Sequence, residues 1–289
     1  MLSLIVNPSA GGGRAGRELP GVVEELTARG LEHHVEATRS LEHAKELAHS
    51  ATASGEVAVA FGGDGLVGAV ADAVKHSPGV LGVLPGGRGN DFARVLGIPL
   101  EPRRACEVLA TGRPRDLDLG QAAGNTFIGI ASCGFDSEAN RIANETRLFR
   151  GNLVYTYGAL RALAGWHPAT FTVTFDGAET RTLSGYTVAV ANSGAYGGGM
   201  MMAPDASLQD GLLDVVLVGQ ASRLRFLRLL PTVFKGEHVQ QANVQVIRAQ
   251  QVEVGADRPF LMYADGDPIA GLPVALRCLP AALRAIVPQ

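Results

Sequence analysis

The chain has 289 residues, 46% hydrophobic and 18% charged, with a formal net charge of −3. This composition excludes collagen, coiled coil and intrinsic disorder, and the length suits two domains with cores of their own. A slightly acidic chain offers no global field for a polyanion, so no nucleic-acid partner is expected.

In chain order, Leu2–Val6 is a predicted strand that stops at Asn7-Pro8 and lacks the basic flank of a secretory leader. Further strands are predicted around Leu31–Val35, at Val57–Phe61 and at Val80–Leu84. Helical stretches at Glu18–Ala28, Leu41–Ala51 (with Ser40 as N-cap) and Val67–Val74 lie between them. The alternation predicts a Rossmann-like α/β nucleotide-binding domain over residues 1–120.

From about Gly120 the texture turns β-rich: Thr126–Ser132, Ala169–Phe175, Thr182–Ser193, Leu212–Val218, Val244–Val254 and Pro259–Tyr263. Helical inserts are predicted at Ser137–Trp166, broken at Gly151-Asn152, and at Ser222–Phe234. Residues 121–275 are therefore expected to form a mostly antiparallel β-sandwich. No apolar run approaches the ~20 residues of a membrane span. Cys106, Cys133 and Cys278 are widely spaced and fit reduced thiols of a cytoplasmic protein.

Three glycine-rich loops follow predicted parallel strands, where such sheets bind ligands. The first, Asn7-Pro8-Ser9-Ala10-Gly11-Gly12-Gly13, allows close backbone approach to an anion before a helix N-terminus. Gly11, Gly13 and Gly16 also match G-x-G-x-x-G, with Glu36 downstream, so a nicotinamide or flavin enzyme stays open. The second loop, Gly62-Gly63-Asp64-Gly65-Leu66, sets one carboxylate among glycines. That suits a phosphate site in which Mg²⁺ bridges acid and phosphate; a plain helix cap is the alternative. The third, Pro85-Gly86-Gly87-Arg88-Gly89-Asn90-Asp91, adds a guanidinium suited to phosphate oxygens and an Asn or Asp able to cap the next helix.

Walker, protein-kinase, zinc-protease and α/β-hydrolase motifs are all missing from the sequence. Two later loops complete the candidates. Asp265-Gly266-Asp267 is either a paired-acid site or a D-G hairpin turn. The stretch from Ala203 to Asp214 carries Asp210 among oxygen donors, which either holds a hard cation or is simply a loop.

The ordered set N-P-x-x-G-x-G, G-G-D-G, P-G-G-x-x-N-D-F-A and a late D-G-acid resembles the diacylglycerol kinase catalytic-domain family of soluble bacterial lipid kinases, related to sphingosine and ceramide kinases. The resemblance implies ATP in the N-terminal domain, a lipid site in the sandwich, and return of residues 276–289 to the first domain. It places Asn7, Pro8, Ser9, Ala10, Gly11, Thr38, Gly62, Gly63, Asp64, Gly65, Leu66, Val67, Gly68 and Arg88 at the nucleotide. It makes Asp267, helped by Asp265, the acceptor of the lipid hydroxyl's proton, and sets a structural Mg²⁺ at Ser207, Asp210 and Leu212. Asp64 would lie by the metal and γ-phosphate. Departures from the family pattern are Leu66 and Arg88 at Thr positions, Gly68-Ala69 for Asn-Glu, and Asp267 for Glu, which point to altered substrate, altered nucleotide contacts or weak activity.

The expected partners are a lipid, most simply diacylglycerol, and the anionic inner face of a membrane, through a basic apolar segment at 140–150 that is otherwise an amphipathic helix covering the β domain; the Gly197–Met202 loop is either an acyl-chain mouth or a core-filling loop, and a homodimer is also carried. Rival readings are a soluble kinase of the nicotinamide-nucleotide type and a catalytically weak ATP or lipid binder.

Overall fold

The computed structural model describes residues 1–145 and 153–289. The N-terminal elements are β1 (Leu2–Val6), α1 (Ala10–Ala28), β2 (His33–Ala37), α2 (Leu41–Ala53), β3 (Val57–Gly62), α3 (Asp64–Val74) and β4 (Val80–Pro85). Their strands are all parallel, in the order β2-β1-β3-β4. β1 is buried along its whole length, as an unbroken apolar run on a sheet covered on both faces must be. β2, with the sequence HHVEA, takes the exposed edge, where His34 lies 3.7 Å from Glu36 and 3.8 Å from Glu56. Ser40 caps α2 by accepting the His43 amide at 3.1 Å. Because the chain leaves β1 towards β2 on one side and returns through β3 on the other, the switch point lies between β1 and β3, at the first two glycine loops.

Two short helices, α4 (Asp91–Val95) and α5 (Pro102–Thr111), lead into β5 (Arg113–Ala122) and β6 (Asn125–Phe127). There follow β7 (Ile130–Gly134), α6 (Phe135–Glu145), α7 (Leu153–Gly165), β8 (Ala169–Phe175), β9 (Glu179–Ala191), β10 (Leu213–Gly219) and α8 (Arg223–Val233). The chain ends in β11 (Val244–Ala249), β12 (Gln251–Ala256), β13 (Leu261–Ala264), β14 (Asp267–Gly271) and β15 (Val274–Val287). The expected break at Gly151-Asn152 and residues 146–150 of the basic segment lie outside the described residues.

β9 serves both layers of the sandwich: its first half pairs with β8, and its second half with β7 and β10. Period-2 alternation sorts the side chains. Val188, Val190, Val215 and Leu217 face the core between the layers. Ala189, Val216 and Val218 face outward, under Phe135, Trp166 and Phe226 from the helices, and Tyr186 joins them because the register shift opposite Val218 and Gly219 takes it out of the alternation. There Tyr186 stacks on Phe226 with centroids 3.8 Å apart.

Two predicted strands prove to be broken. Thr126–Ser132 splits into β6 and β7 because the amides between them bond a distant carboxylate. Val244–Val254 splits at Gln250, where the chain leaves β10 and joins β8 and β15. β15 runs from the sandwich to the first sheet: it pairs with β12 at Val274–Arg277 and aligns with β4 at Ala285. β5 follows it along both stretches, past a bulge between Leu279 and Leu283.

Candidate active site

The three glycine loops meet at the carboxyl ends of β1, β3 and β4. Gly11, Gly12 and Gly13 all adopt left-handed backbone, with φ of 62°, 69° and 85°. A side chain on Gly11 would stand 2.5 Å from the Gly86 carbonyl oxygen. The third loop locks itself: the Gly87 amide donates to Asn90 Oδ1 at 2.8 Å, and Asn90 Nδ2 returns to the Gly87 carbonyl at 3.1 Å. Asn90 sits in left-handed backbone and makes no side-chain cap to α4, so neither it nor Asp91 is the helix cap considered above. Asn7 Oδ1 accepts the Ser9 amide at 3.1 Å, and the Thr38 amide donates to the Val6 carbonyl at 2.8 Å, which seats both at the β1 end. The first-loop glycines thus follow a turn over Asn7–Ser9 and do not close directly on the strand.

Among the departures from the family pattern, Leu66 is buried and packs over Gly62. Arg88 is exposed, and its guanidinium makes no hydrogen bond or ion pair among the described residues.

Asp64 opens α3 and accepts the Phe92 amide at 3.1 Å. Burial raises its pKa; the Phe92 amide offsets part of this and the charge of Asp91 adds to it. A Cβ on Gly89 would lie 3.0 Å from Asp91 Oδ2 and 3.1 Å from Asp64 Oδ2, so the two carboxylates are at most about 6 Å apart. Asp91 Oδ2 also accepts the Gly198 amide at 2.8 Å. Its Oδ1 is buried without a hydrogen bond, with Arg94 Nε 3.9 Å away. Two crowded carboxylates with an orphaned oxygen form a donor set that fits a hard cation.

The sandwich contributes Asp265. It and Gly266 have φ of 49° and 96°, both left-handed, and form the two-residue turn between β13 and β14. The D-G hairpin and the acid site are therefore one structure. Asp265 Oδ2 accepts the Ile128 amide at 2.8 Å, and Oδ1 accepts those of Gly129 and Ile130 at 3.0 and 3.1 Å. Burial raises its pKa to about 6, the three amides only partly opposing, and the charge of Asp64 across the cleft adds to the rise. Asp267, at the start of β14, is exposed and its carboxylate makes no hydrogen bond among the described residues. Asp136, at the head of α6, is likewise raised to about 6 by burial, although Ser132 and Thr187 donate to it.

Ser207, Asp210 and Leu212 share one loop, where Asp210 Oδ1 accepts the Leu212 amide at 3.1 Å and Ser207 Oγ the Gln209 amide at 3.2 Å. Hydroxyl, carboxylate and carbonyl oxygens are the hard donors Mg²⁺ prefers. Asp118 anchors the loop, taking the Gly211 amide at 2.7 Å and the Ala281 amide at 2.8 Å. Sequence reading missed Asp118 and Asp136, and weighed Asp91 only as a cap. The F-D pair after an apolar strand was the available signal for Asp136. For Asp118 there was none, because its partners lie some 90 and 160 positions away.

Beside the Asp265 strand a groove of about 1140 Å³ runs between α6, α7 and the β13–β14 hairpin. Trp166, Phe260, Leu261 and Tyr263 line it, with Arg161 and Arg258 among the polar lining.

Converging glycine loops, a carboxylate pair and an acidic turn on the sandwich are the features of a phosphotransferase site. Comparison with known proteins agrees. Residues 1–122 match the diacylglycerol kinase catalytic domain model, and residues 129–287 match the YegS C-terminal NAD kinase beta sandwich-like domain. A diacylglycerol kinase of Mycobacterium tuberculosis is 33% identical, covering 100% of this chain and 95% of its own. One from Bacillus subtilis is 29% identical over 91% and 88%. A diacylglycerol kinase structure from Bacillus anthracis superposes with TM-score 0.76 at 20% identity, over 99% of this chain and 96% of that one. An NAD kinase from Archaeoglobus fulgidus in complex with ATP gives 0.54 at 14%, over 100% and 94%; both show likeness of fold. The chain belongs to the diacylglycerol kinase catalytic-domain family.

Proposed function

We propose that this chain is an ATP-dependent lipid kinase that moves the γ-phosphate of ATP to a lipid hydroxyl, with diacylglycerol as acceptor and phosphatidic acid as product. The observation that carries this reading is the meeting of three glycine loops at the Asp64 and Asp91 carboxylates, which the Gly198 amide ties to the sandwich that holds the Asp265-Gly266-Asp267 turn. Family membership and the names of the relatives support it.

In this account the phosphates of ATP lie over Asn7–Gly11, Gly62–Gly68 and Arg88, with Thr38 at the rim of the nucleotide site. Backbone amides and the Arg88 guanidinium offset phosphate charge. Asp64 and Asp91 would hold the Mg²⁺ that accompanies ATP, and Ser207, Asp210 and Leu212 a structural Mg²⁺. Bound Mg²⁺ supplies charge neutralisation at the phosphates. Asp267 takes the proton of the lipid hydroxyl, whose oxygen then attacks the γ-phosphorus in line. The bond to the β-phosphate bridging oxygen breaks and ADP leaves with the electron pair. Asp265, fastened by three amides, positions the turn that carries Asp267. The Asp267 carboxylate is exposed and takes no partner among the described residues, which leaves its oxygens open to a substrate hydroxyl.

Transfer from labelled ATP in mixed micelles tests the acceptor, with diacylglycerol, monoacylglycerol, sphingosine, ceramide and NAD offered in parallel. Label in phosphatidic acid is expected. Label on NAD alone would overturn the lipid reading in favour of a nicotinamide-nucleotide kinase, which the NAD kinase likeness keeps in the comparison.

A further inference from the structure

Helix α8 buries Phe226, Leu229 and Val233 against the sandwich. Its opposite face is exposed and apolar: Leu224 is 60% exposed, Leu227 36% and Phe234, which extends the helical turn, 57%. With the exposed Pro231 these residues fall at i, i+3, i+7 and i+10. At about 100° per residue that spacing keeps them in one narrow stripe along the helix. Arg223, Arg225, Arg228 and Lys235 are exposed around the stripe. No acidic residue occurs between Asp214 and Glu237, in a chain whose overall charge is −3. A solvent-facing helix has no use for an apolar stripe framed only by cations, and monomers seldom expose such a patch without a partner. Arg223 Nη2 also donates to the Trp166 carbonyl at 3.2 Å, which joins this helix to the wall of the apolar groove.

We infer that α8 is a membrane-docking helix, which lays Leu224, Leu227, Pro231 and Phe234 into the interface of an anionic bilayer while Arg223, Arg225, Arg228 and Lys235 meet lipid phosphates. Among the described residues no helix is long and apolar enough to cross a membrane. The helix instead has the features of one lying in the interface plane: an apolar stripe, a cationic border and a hydrophobic underside already buried in protein. A second copy of this chain would find no acidic complement in its own α8, so a symmetric helix-to-helix contact would set like charges against each other. That favours the bilayer as occupant.

Vesicle flotation of the intact protein tests this without reference to turnover. The vesicles are phosphatidylcholine with and without about 30% phosphatidylglycerol, a content that gives the surface its negative potential. The wild type is expected to float with the anionic vesicles, and less with neutral ones. Leu224→Gln/Phe234→Gln and Arg225→Gln/Arg228→Gln should each lower the anionic partition about tenfold or more, with unchanged circular dichroism melts because all four side chains are exposed. Variants that float like the wild type would overturn the inference. So would equal wild-type flotation on neutral vesicles, or a wild-type dimer that the Leu224/Phe234 variant splits. Turnover of a soluble short-chain diacylglycerol should survive in both variants; its absence in the wild type would count against the kinase reading and leave the flotation result standing.

Discussion

The Asp91 carboxylate accepts the Gly198 amide at 2.8 Å, and so ties the third glycine loop of the parallel sheet to the Gly197–Gly199 loop of the sandwich. A few ångströms away, Asp64 lies close enough to raise the pKa of Asp265 from across the cleft. The first sheet and the sandwich are thus held together by a hydrogen bond and set against each other by two like charges. Chemistry that brings a cation and a phosphate between them relieves that repulsion.

Asp64→Asn should leave the fold intact while removing the charge proposed to face the γ-phosphate. Loss of one preorganised electrostatic group costs about 100- to 1000-fold in kcat. Steady-state kinetics beside a thermal melt separates this from unfolding. A variant with near-normal kcat would remove Asp64 from the catalytic account.

Asp267 and Asp265 are expected to fail in different ways. Asp267→Ala removes an exposed carboxylate that holds nothing, so the melt should move little while kcat falls at least about 100-fold. Asp265→Ala strips the partners from three amides and should lose stability as well, by about 1–3 kcal/mol for the most buried of them. Equal stability losses in both would contradict the division of roles.

The raised pKa of Asp265 leaves a mark on stability. Between about pH 4 and 6 the native carboxyl still binds its proton where the unfolded one has released it, so its contribution falls as pH rises through this window and is flat above it. Asp72 runs the other way. Burial pulls its pKa up, but Lys75 and Lys45 outweigh this and bring it down to about 2. Its stabilisation is therefore present above about pH 4 and lost as pH falls towards 2. Urea midpoints from pH 2 to 7 should show the first step flattened in Asp265→Asn and the second in Asp72→Asn. Profiles parallel to the wild type would refute these assignments.

A pair of glycine variants tests the nucleotide loops. Gly11→Ala meets the Gly86 carbonyl oxygen at 2.5 Å in left-handed backbone, whereas Gly12→Ala meets nothing within 4 Å. The second should cost about 1–2 kcal/mol from backbone conformation alone. The first should cost more and weaken ATP binding, because it pushes two phosphate loops apart. Calorimetric titration with ATP reads the difference, and equal affinities would contradict close loop packing as the reason for Gly11.

Much of this was legible in the sequence. β1, β3 and β4 of the first sheet show as apolar runs because both faces are covered, and the glycine loops show because left-handed backbone at Gly11–Gly13 demands that residue. β5 was not legible: its first four residues, Arg113 to Asp116, are exposed and polar, and pairing with β15 alone makes them a strand. β15 was known only through the family resemblance, because Pro280 and the bulge at Ala281 interrupt its pattern. At the site, the acids announced themselves only where glycines flank them. Asp118 is a node of the fold whose amide partners come from remote loops, a relationship that no local spacing encodes.

The most direct test of the central claim is single-turnover transfer from γ-labelled ATP to diacylglycerol in mixed micelles by the intact protein, run beside Asp64→Asn and Asp267→Ala. Labelled phosphatidic acid from the wild type, reduced at least about 100-fold in both variants, is the predicted result. Wild-type protein that binds ATP and yields no labelled lipid, or variants that transfer as fast as the wild type, would contradict the account.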